Sequence, residues 1–134
     1  MKPHEKQERF ERGLTYFNAR QFFEAHEVWE EIWLTEDEPE RTFLQGLIQI
    51  AAAFHHYRRG NSEGAENLLA AGIVKITRFA HDYHGLAVEE LRVATIWWAR
   101  RLGESKKPGD DEIPLILRSH QSAAISEGLQ TKKH

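Results

Sequence analysis

Cysteine is absent from the 134 residues. Disulfide bridges and thiolate metal sites are therefore excluded, and the redox compartment cannot be read from cysteine usage. Long apolar runs are missing too. The longest, Leu47 to Phe54, is far short of the roughly 20 residues that a membrane-spanning helix requires. The opening residues, Met1-Lys2-Pro3-His4-Glu5-Lys6-Gln7-Glu8-Arg9, are too charged for a secretory signal. The expectation is a cytoplasmic protein with no membrane partner. A basic surplus is lacking as well, since the net charge is −3. That argues against a nucleic-acid partner, because nucleic-acid binders carry a basic face. No Gly-x-Ser-x-Gly nucleophile motif occurs, and Gly60-Asn61-Ser62-Glu63-Gly64 lacks the Gly-Lys-Ser/Thr ending of a phosphate loop.

What remains is ordinary for one globular domain: 40% hydrophobic and 29% charged residues. A chain of this length buries about two thirds of its unfolded surface. Its charge is uneven. Residues 21–40 hold eight Asp or Glu and no Lys or Arg, whereas Arg92, Arg100, Arg101, Lys106 and Lys107 cluster later. Complementarity at helix ends and a solvated face account for that pattern.

Apolar residues recur at helical spacing along most of the chain. A first helix covers residues 5 to about 19, with Phe10, Leu14 and Phe17 in its stripe. A second runs from Phe22 to about Leu34, and a third from about Pro39 to Arg59. The third is apolar most of the way round, which marks a central, buried helix. A fourth is expected from about Ser62 to Tyr83, before Gly85. A fifth runs from about Ala87 to Leu102 and leaves Trp97 opposite its buried side. Residues 1–103 thus read as a helical domain, and 104–134 as a linker with a partly ordered tail. Within that tail, Ile113-Pro114-Leu115-Ile116-Leu117 is expected to pack back on the bundle in extended form.

At an offset of 40 residues, Leu14, Phe17, Ala25, Val28, Trp29 and Trp33 fall opposite Phe54, Tyr57, Ala65, Leu68, Leu69 and Ile73. The expected fold is all-α: about five helices, arranged as two stacked helical hairpins in a tetratricopeptide-like manner, plus a fifth helix and a C-terminal extension.

Chemistry concentrates in residues 22–33. Phe22, Ala25, His26, Trp29, Ile32 and Trp33 share one face of that helix, which puts His26 in the apolar stripe. Glu30 lies one turn on, at its flank. Glu24, Glu27 and Glu31 point to the other side. On the third helix Gln45, Gln49 and His56 form the one polar stripe, while His55 points elsewhere, towards Ile48. A buried polar group without a partner costs roughly 1–3 kcal/mol. A polar layer is therefore expected between these two helices, built from Glu24, His26, Glu27, Glu30, Gln45, Gln49 and His56.

Such a layer has three readings: a satisfied network that fixes helix register, a metal site of His26, Glu30 and His56 or Glu27, or an acid–base pair. The run His26-Glu27-x-x-Glu30 lacks the second histidine of a His-Glu-x-x-His zinc site. Nor is there a Glu-x-x-His pair of the di-iron kind. His81 and His84 read as surface histidines.

Three motifs stand in order: Phe23-Glu24-Ala25-His26-Glu27-x-Trp29-Glu30-x-x-Trp33, then Phe43-Leu44-Gln45-Gly46-Leu47-Ile48-Gln49-x-Ala51-x-Ala53-x-His55-His56, then Gly60-Asn61-x-x-Gly64-Ala65-x-x-Leu68-Leu69. Over about residues 14–80 they resemble the domain-of-unknown-function family 309. The resemblance implies an all-α fold, found mainly in bacteria and archaea, with no established activity. It implies that Glu24, His26, Glu27, Trp29, Glu30, Trp33, Gln45, Gly46, Gln49 and one of His55 or His56 are signature positions.

The resulting expectation is a binding or interaction module without a cofactor. The alternative is a small metal-dependent or acid–base hydrolase using His26 and Glu30 with Glu27 or His56. Trp97 and Val93 mark a surface for a second copy of the chain, if the tail leaves them uncovered.

Overall fold

Helix α1 (Pro3–Asn18) carries Pro3 in its first turn, where the missing N–H costs nothing, and buries Phe10, Leu14 and Phe17. The structure, a computed structural model, describes residues 1–104 and 107–121. Helices α2 (Phe22–Trp33), α3 (Glu40–Arg58), α4 (Ser62–Ile76) and α5 (Val88–Gly103) follow, with single 3-10 turns at Tyr83–Gly85 and Asp110–Glu112. Among the described residues there is no strand, only an isolated antiparallel bridge between Leu86 and Arg118. No described helix is long and apolar enough to cross a membrane. The fold is all-α.

Each of the first two helix pairs is a hairpin closed by three residues, and the two turns match bond for bond at the 40-residue offset. Gln21 N–H donates to Tyr16 O at 2.8 Å, and Asn61 N–H to His56 O at 2.9 Å. The preceding residues, Arg20 and Gly60, both stand in the left-handed region, at φ 66° and 84°. Ala25 and Ala65, one turn into α2 and α4, are both fully buried. The weak sequence repeat thus corresponds to a repeated turn.

Packing between helices depends on small residues. A Cβ on Gly13 would lie 1.9 Å from Trp29 Nε1, so α2 can press its indole against α1 only because Gly13 has no side chain. That indole is fully buried and donates to Phe10 O at 3.2 Å. At the α3–α4 crossing, a Cβ on Gly72 would stand 2.9 Å from Gly46 O. Helix α3 lies between α2 and α4 and buries nine residues, from Phe43 to Phe54. It is the central helix that its composition predicts.

The fourth helix is shorter than its pattern predicts. It ends at Ile76, where Thr77 Oγ1 bonds back to Ile73 O at 2.7 Å. A hydroxyl that takes a helix carbonyl competes with the continuing backbone ladder. Phe79 and Tyr83 still face the core, but from a turn, with ring centroids 5.1 and 4.8 Å from Phe43.

After α5 the chain lies back across the bundle as a strap. Ile113 and Ile116 are buried, as the apolar run predicts. Asn18 clamps the strap as a strand neighbour would: its Nδ2 donates to Ile116 O at 3.0 Å and its Oδ1 accepts from Ile116 N at 2.8 Å. Arg20 donates to Ile113 O at 2.7 Å, Tyr57 to Pro108 O at 2.5 Å, and Trp98 Nε1 to Glu112 O at 2.8 Å. The strap therefore ties the α1–α2 turn to the ends of α3 and α5.

Gly13→Ala should force the Trp29 indole out of its seat and cost about 1–3 kcal/mol, the usual range for an overfilled core. Chemical denaturation of the variant checks this, and unchanged stability would contradict the Gly13–Trp29 contact.

Candidate functional site

Helix α2 is divided lengthwise. Phe22, Ala25, Val28, Trp29 and Ile32 are buried on one side. Phe23, Glu24 and Glu27 are exposed on the other, and His26 and Glu30 lie along the seam. The imidazole of His26 is one quarter exposed, with Nδ1 3.3 Å from Glu27 Oε1 and Nε2 3.3 Å from Glu30 Oε2. Both carboxylates are largely in water, at 58% and 46% exposure. Neither approach has hydrogen-bond alignment, and His26 Nδ1 is buried without a partner.

On α3, Gln45 and Gln49 are half-buried, and Gln49 Oε1 is a second buried oxygen or nitrogen without a partner. His56 Nδ1 lies 3.3 Å from Asn61 Nδ2, at the turn into α4. Among the described residues no hydrogen bond joins the α2 candidates to Gln45, Gln49 or His56. The expected sealed layer does not form. The acids of α2 stay in solvent, and the imidazole of His26 turns along its own helix to stack on Phe23, ring centroids 6.3 Å apart.

What forms instead is an open depression of 270 Å³ walled by Phe23, His26, Ala52, His55 and His56. His55, which the helical wheel sets apart from Gln45, Gln49 and His56, also lines this depression. It sits in the last turn of α3 beside the first turn of α2, its ring 5.4 Å from Phe23 and 5.7 Å from His56. The pair His55-His56 in sequence is the signal for this meeting of rings. Burial holds the His55 imidazole below its usual pKa, and the charges of Arg59, His56 and His26 push the same way, against Glu24. Among the described residues no three His, Asp or Glu side chains converge to hold a metal ion.

A second depression, of 250 Å³, adjoins the first through the shared Phe23 and His55. Arg20, Gln21, Phe22, Glu24, Arg58 and Arg59 complete its walls. Composition conceals this basic corner, because its arginines come from the two sides of a mostly acidic helix.

Two further features lie away from this face. Glu40 accepts from the Tyr83 hydroxyl and meets His84 Nε2, beside a 170 Å³ pocket floored by Phe10, Ile32, Phe43 and Leu44. His84 is exposed, as its sequence position predicts, but it occupies the 3-10 turn with φ 59° in place of a helix and stacks on Phe10 at 5.1 Å. Burial first, and then the bond to Glu40, hold the Tyr83 phenol well above its usual pKa. His81 is exposed. On α5, Val93 is 55% exposed and Trp97 half-buried beneath the Arg101 guanidinium, 5.0 Å from the ring. Lys106 and residues 122–134 lie outside the described residues.

Comparison with known families fits this geometry. Residues 10–68 match the model described as "Domain of unknown function (DUF309)". Over those residues the chain is similar to that family. The DUF309 segment begins at Phe10, spans the Gly13–Trp29 contact and holds both histidine-bearing helices. It ends in α4, before the strap and Trp97. An uncharacterized protein of Bacillus subtilis strain 168, YpuF, is 42% identical over 81 residues, which are 58% of this chain and 43% of that protein. An uncharacterized protein of Aquifex aeolicus strain VF5 is 29% identical over 77 residues, 57% of this chain and 23% of that protein. The chain thus spans less than half the length of these curated relatives.

The lowered pKa of His55 has a signed consequence. The folded state holds this imidazole neutral, so below the ordinary histidine pKa, about 6.5, the unfolded chain binds more protons. His55 therefore withdraws stability as pH falls through that value, and withholds none above it. The unfolding midpoint should drop from pH 7.5 to 5.5, and His55→Asn should reduce that drop. A variant with the same pH dependence as the parent would contradict it.

Proposed function

We propose that the DUF309 segment is a binding module whose contact surface is the α2–α3 face around Phe23, His26, His55 and His56. One observation carries this reading. His26 Nδ1 and Gln49 Oε1 are buried without partners, on the two helices that frame an open depression. Buried polar atoms in folded proteins nearly always find a partner, and leaving one unpaired costs roughly 1–3 kcal/mol. Two on facing helices beside an open surface suit groups whose partner arrives with a ligand. Phe23 supports the same reading, because a phenyl ring 50% exposed among histidines gives a ligand an apolar wall.

The acid–base alternative draws on the 3.3 Å approach of His26 Nε2 to Glu30 Oε2. A carboxylate near an imidazole can orient it for proton transfer once the pair aligns, and here the pair would have to align and Nδ1 become accessible on ligand binding. This requires the same bound ligand, so binding is the prior claim.

The test is a small-molecule screen monitored by the side-chain NMR signals of His26, His55, His56 and Phe23, with the Trp97 indole as a remote reference. Compounds that bind should shift the four signals together and leave Trp97 in place, and Phe23→Ala should remove the response. Binders that gather at Trp97, or shifts that survive Phe23→Ala, would overturn the assignment.

A further inference from the structure

We propose that the basic depression beside the α2–α3 face takes a nucleoside 5′-monophosphate: a phosphate monoester carried on a sugar and a flat ring. The inference rests on the reading of that face as a binding surface and gives it a ligand class.

The walls divide by chemistry. Arg20, Arg58 and Arg59 bring three guanidinium groups to one 250 Å³ depression, where Glu24 is the only carboxylate in the wall. Two of the three are held by the protein itself. Arg20 spends Nη1 on Pro114 O at 3.3 Å and Nη2 on Ile113 O at 2.7 Å. Arg58 spends Nη1 on Arg20 O at 2.8 Å and Nε on Asp110 at 3.2 Å. Those bonds orient both groups in advance and leave Arg20 Nε, Arg58 Nη2 and the whole of Arg59 to a ligand. Pre-oriented guanidinium groups are suited to phosphate, which accepts from them in pairs. The lowered pKa of His55, in the same wall, reflects the positive field of Arg59 as well as burial.

Glu24 and Asp110 offset two of the three guanidinium charges, so net charge does not separate a carboxylate from a phosphate. The phosphate monoester offers more acceptor oxygens to the guanidinium N–H groups and is favoured on that ground. Glu24 cannot face an anion favourably but can accept from a sugar hydroxyl, as acidic residues do in nucleotide sites. Phe23, half exposed on the wall common to both depressions, gives a planar ring something to lie on. The adjoining 270 Å³ depression, with its three histidines, has room for that ring. A longer polyanion would have to pass Glu27, Glu30 and Glu31 on α2. A single nucleotide avoids them.

The experiment is isothermal titration of the full chain with adenosine 5′-monophosphate at low salt, with inorganic phosphate and adenosine as separate titrants. The nucleotide should bind, and phosphate should bind more weakly and compete with it. Arg59→Glu should weaken both by more than about tenfold, or 1.4 kcal/mol. Phe23→Ala should weaken the nucleotide about tenfold and leave phosphate within about twofold, as a stacking contact requires. Both positions are solvent-exposed, so the variants keep the fold. Absence of nucleotide binding, indifference to Arg59→Glu, or adenosine or phosphate binding as tightly as the nucleotide would each overturn the proposal. If other compounds move the His26 and His56 signals while the nucleotide and phosphate do not bind, this ligand class falls and the binding face stands. If the nucleotide binds and responds to Arg59→Glu without moving those signals, the anion corner stands apart from the face, and the joint site proposed here is overturned.

Discussion

The indole of Trp29 occupies the space that a side chain on Gly13 would need, and most of the architecture is consistent with that one contact. It brings α2 against α1 with the fully buried rings of Phe17 and Trp29 6.2 Å apart and leaves a single register for the hairpin. Phe22 then meets Phe54 of α3 at 5.6 Å, and Phe54 meets Trp98 of α5 at 5.2 Å. A line of aromatic contacts thus runs from the first hairpin to the last helix. Because this core takes the whole apolar side of α2, Phe23, Glu24, His26 and Glu27 are left on a side that α3 covers only in part, through Ala52, His55 and His56.

That division bears on function. An imidazole locked by hydrogen bonds between two helices would be scaffold. Here the close polar neighbours of His26, Glu27 and Glu30, lie on its own helix, the ring stacks on Phe23 in an open depression, and its Nδ1 has no partner. Of the neighbouring arginines, Arg20 is held by backbone carbonyls of the strap and Arg58 by the Asp110 carboxylate, so residues outside the matched segment shape a corner of the face that the segment presents. Arg20 is central to this arrangement. It closes the first hairpin in a left-handed conformation where the second uses Gly60, and its side chain reaches the strap. A non-glycine residue there carries a strain on the order of 1 kcal/mol, offset by the two hydrogen bonds it gains.

Much of this is legible in the sequence, and for definite reasons. The stripes of α1, α2 and α5 follow the helical period, α3 is apolar almost all round, and the repeat at 40 residues is a repeated turn. Periodicity records which side of a helix meets apolar neighbours. It does not record that α4 ends at Ile76 while the apolar spacing continues through Phe79 and Tyr83. Nor does it show that Asn18 and Arg20 will hold a strap nearly 100 positions away. Nor does a wheel, which describes one helix at a time, show that His55 in the last turn of α3 meets Phe23 in the first turn of α2. The polar layer was expected on the premise that His26, Gln45 and Gln49 are fully buried. They are only partly so as residues, and although His26 Nδ1 and Gln49 Oε1 are themselves buried, no hydrogen bond among the described residues joins the two helices there.

The central claim is that α2 has one structural side and one free side. Comparing the unfolding free energies of Trp29→Ala and His26→Ala tests it most directly. Trp29→Ala should lose about 3–5 kcal/mol, as a fully buried aromatic does. His26→Ala should lose no more than about 1 kcal/mol, as partly exposed positions without a cross-helix bond do. A loss at His26 equal to that at Trp29 would contradict the account and make the histidine part of the scaffold.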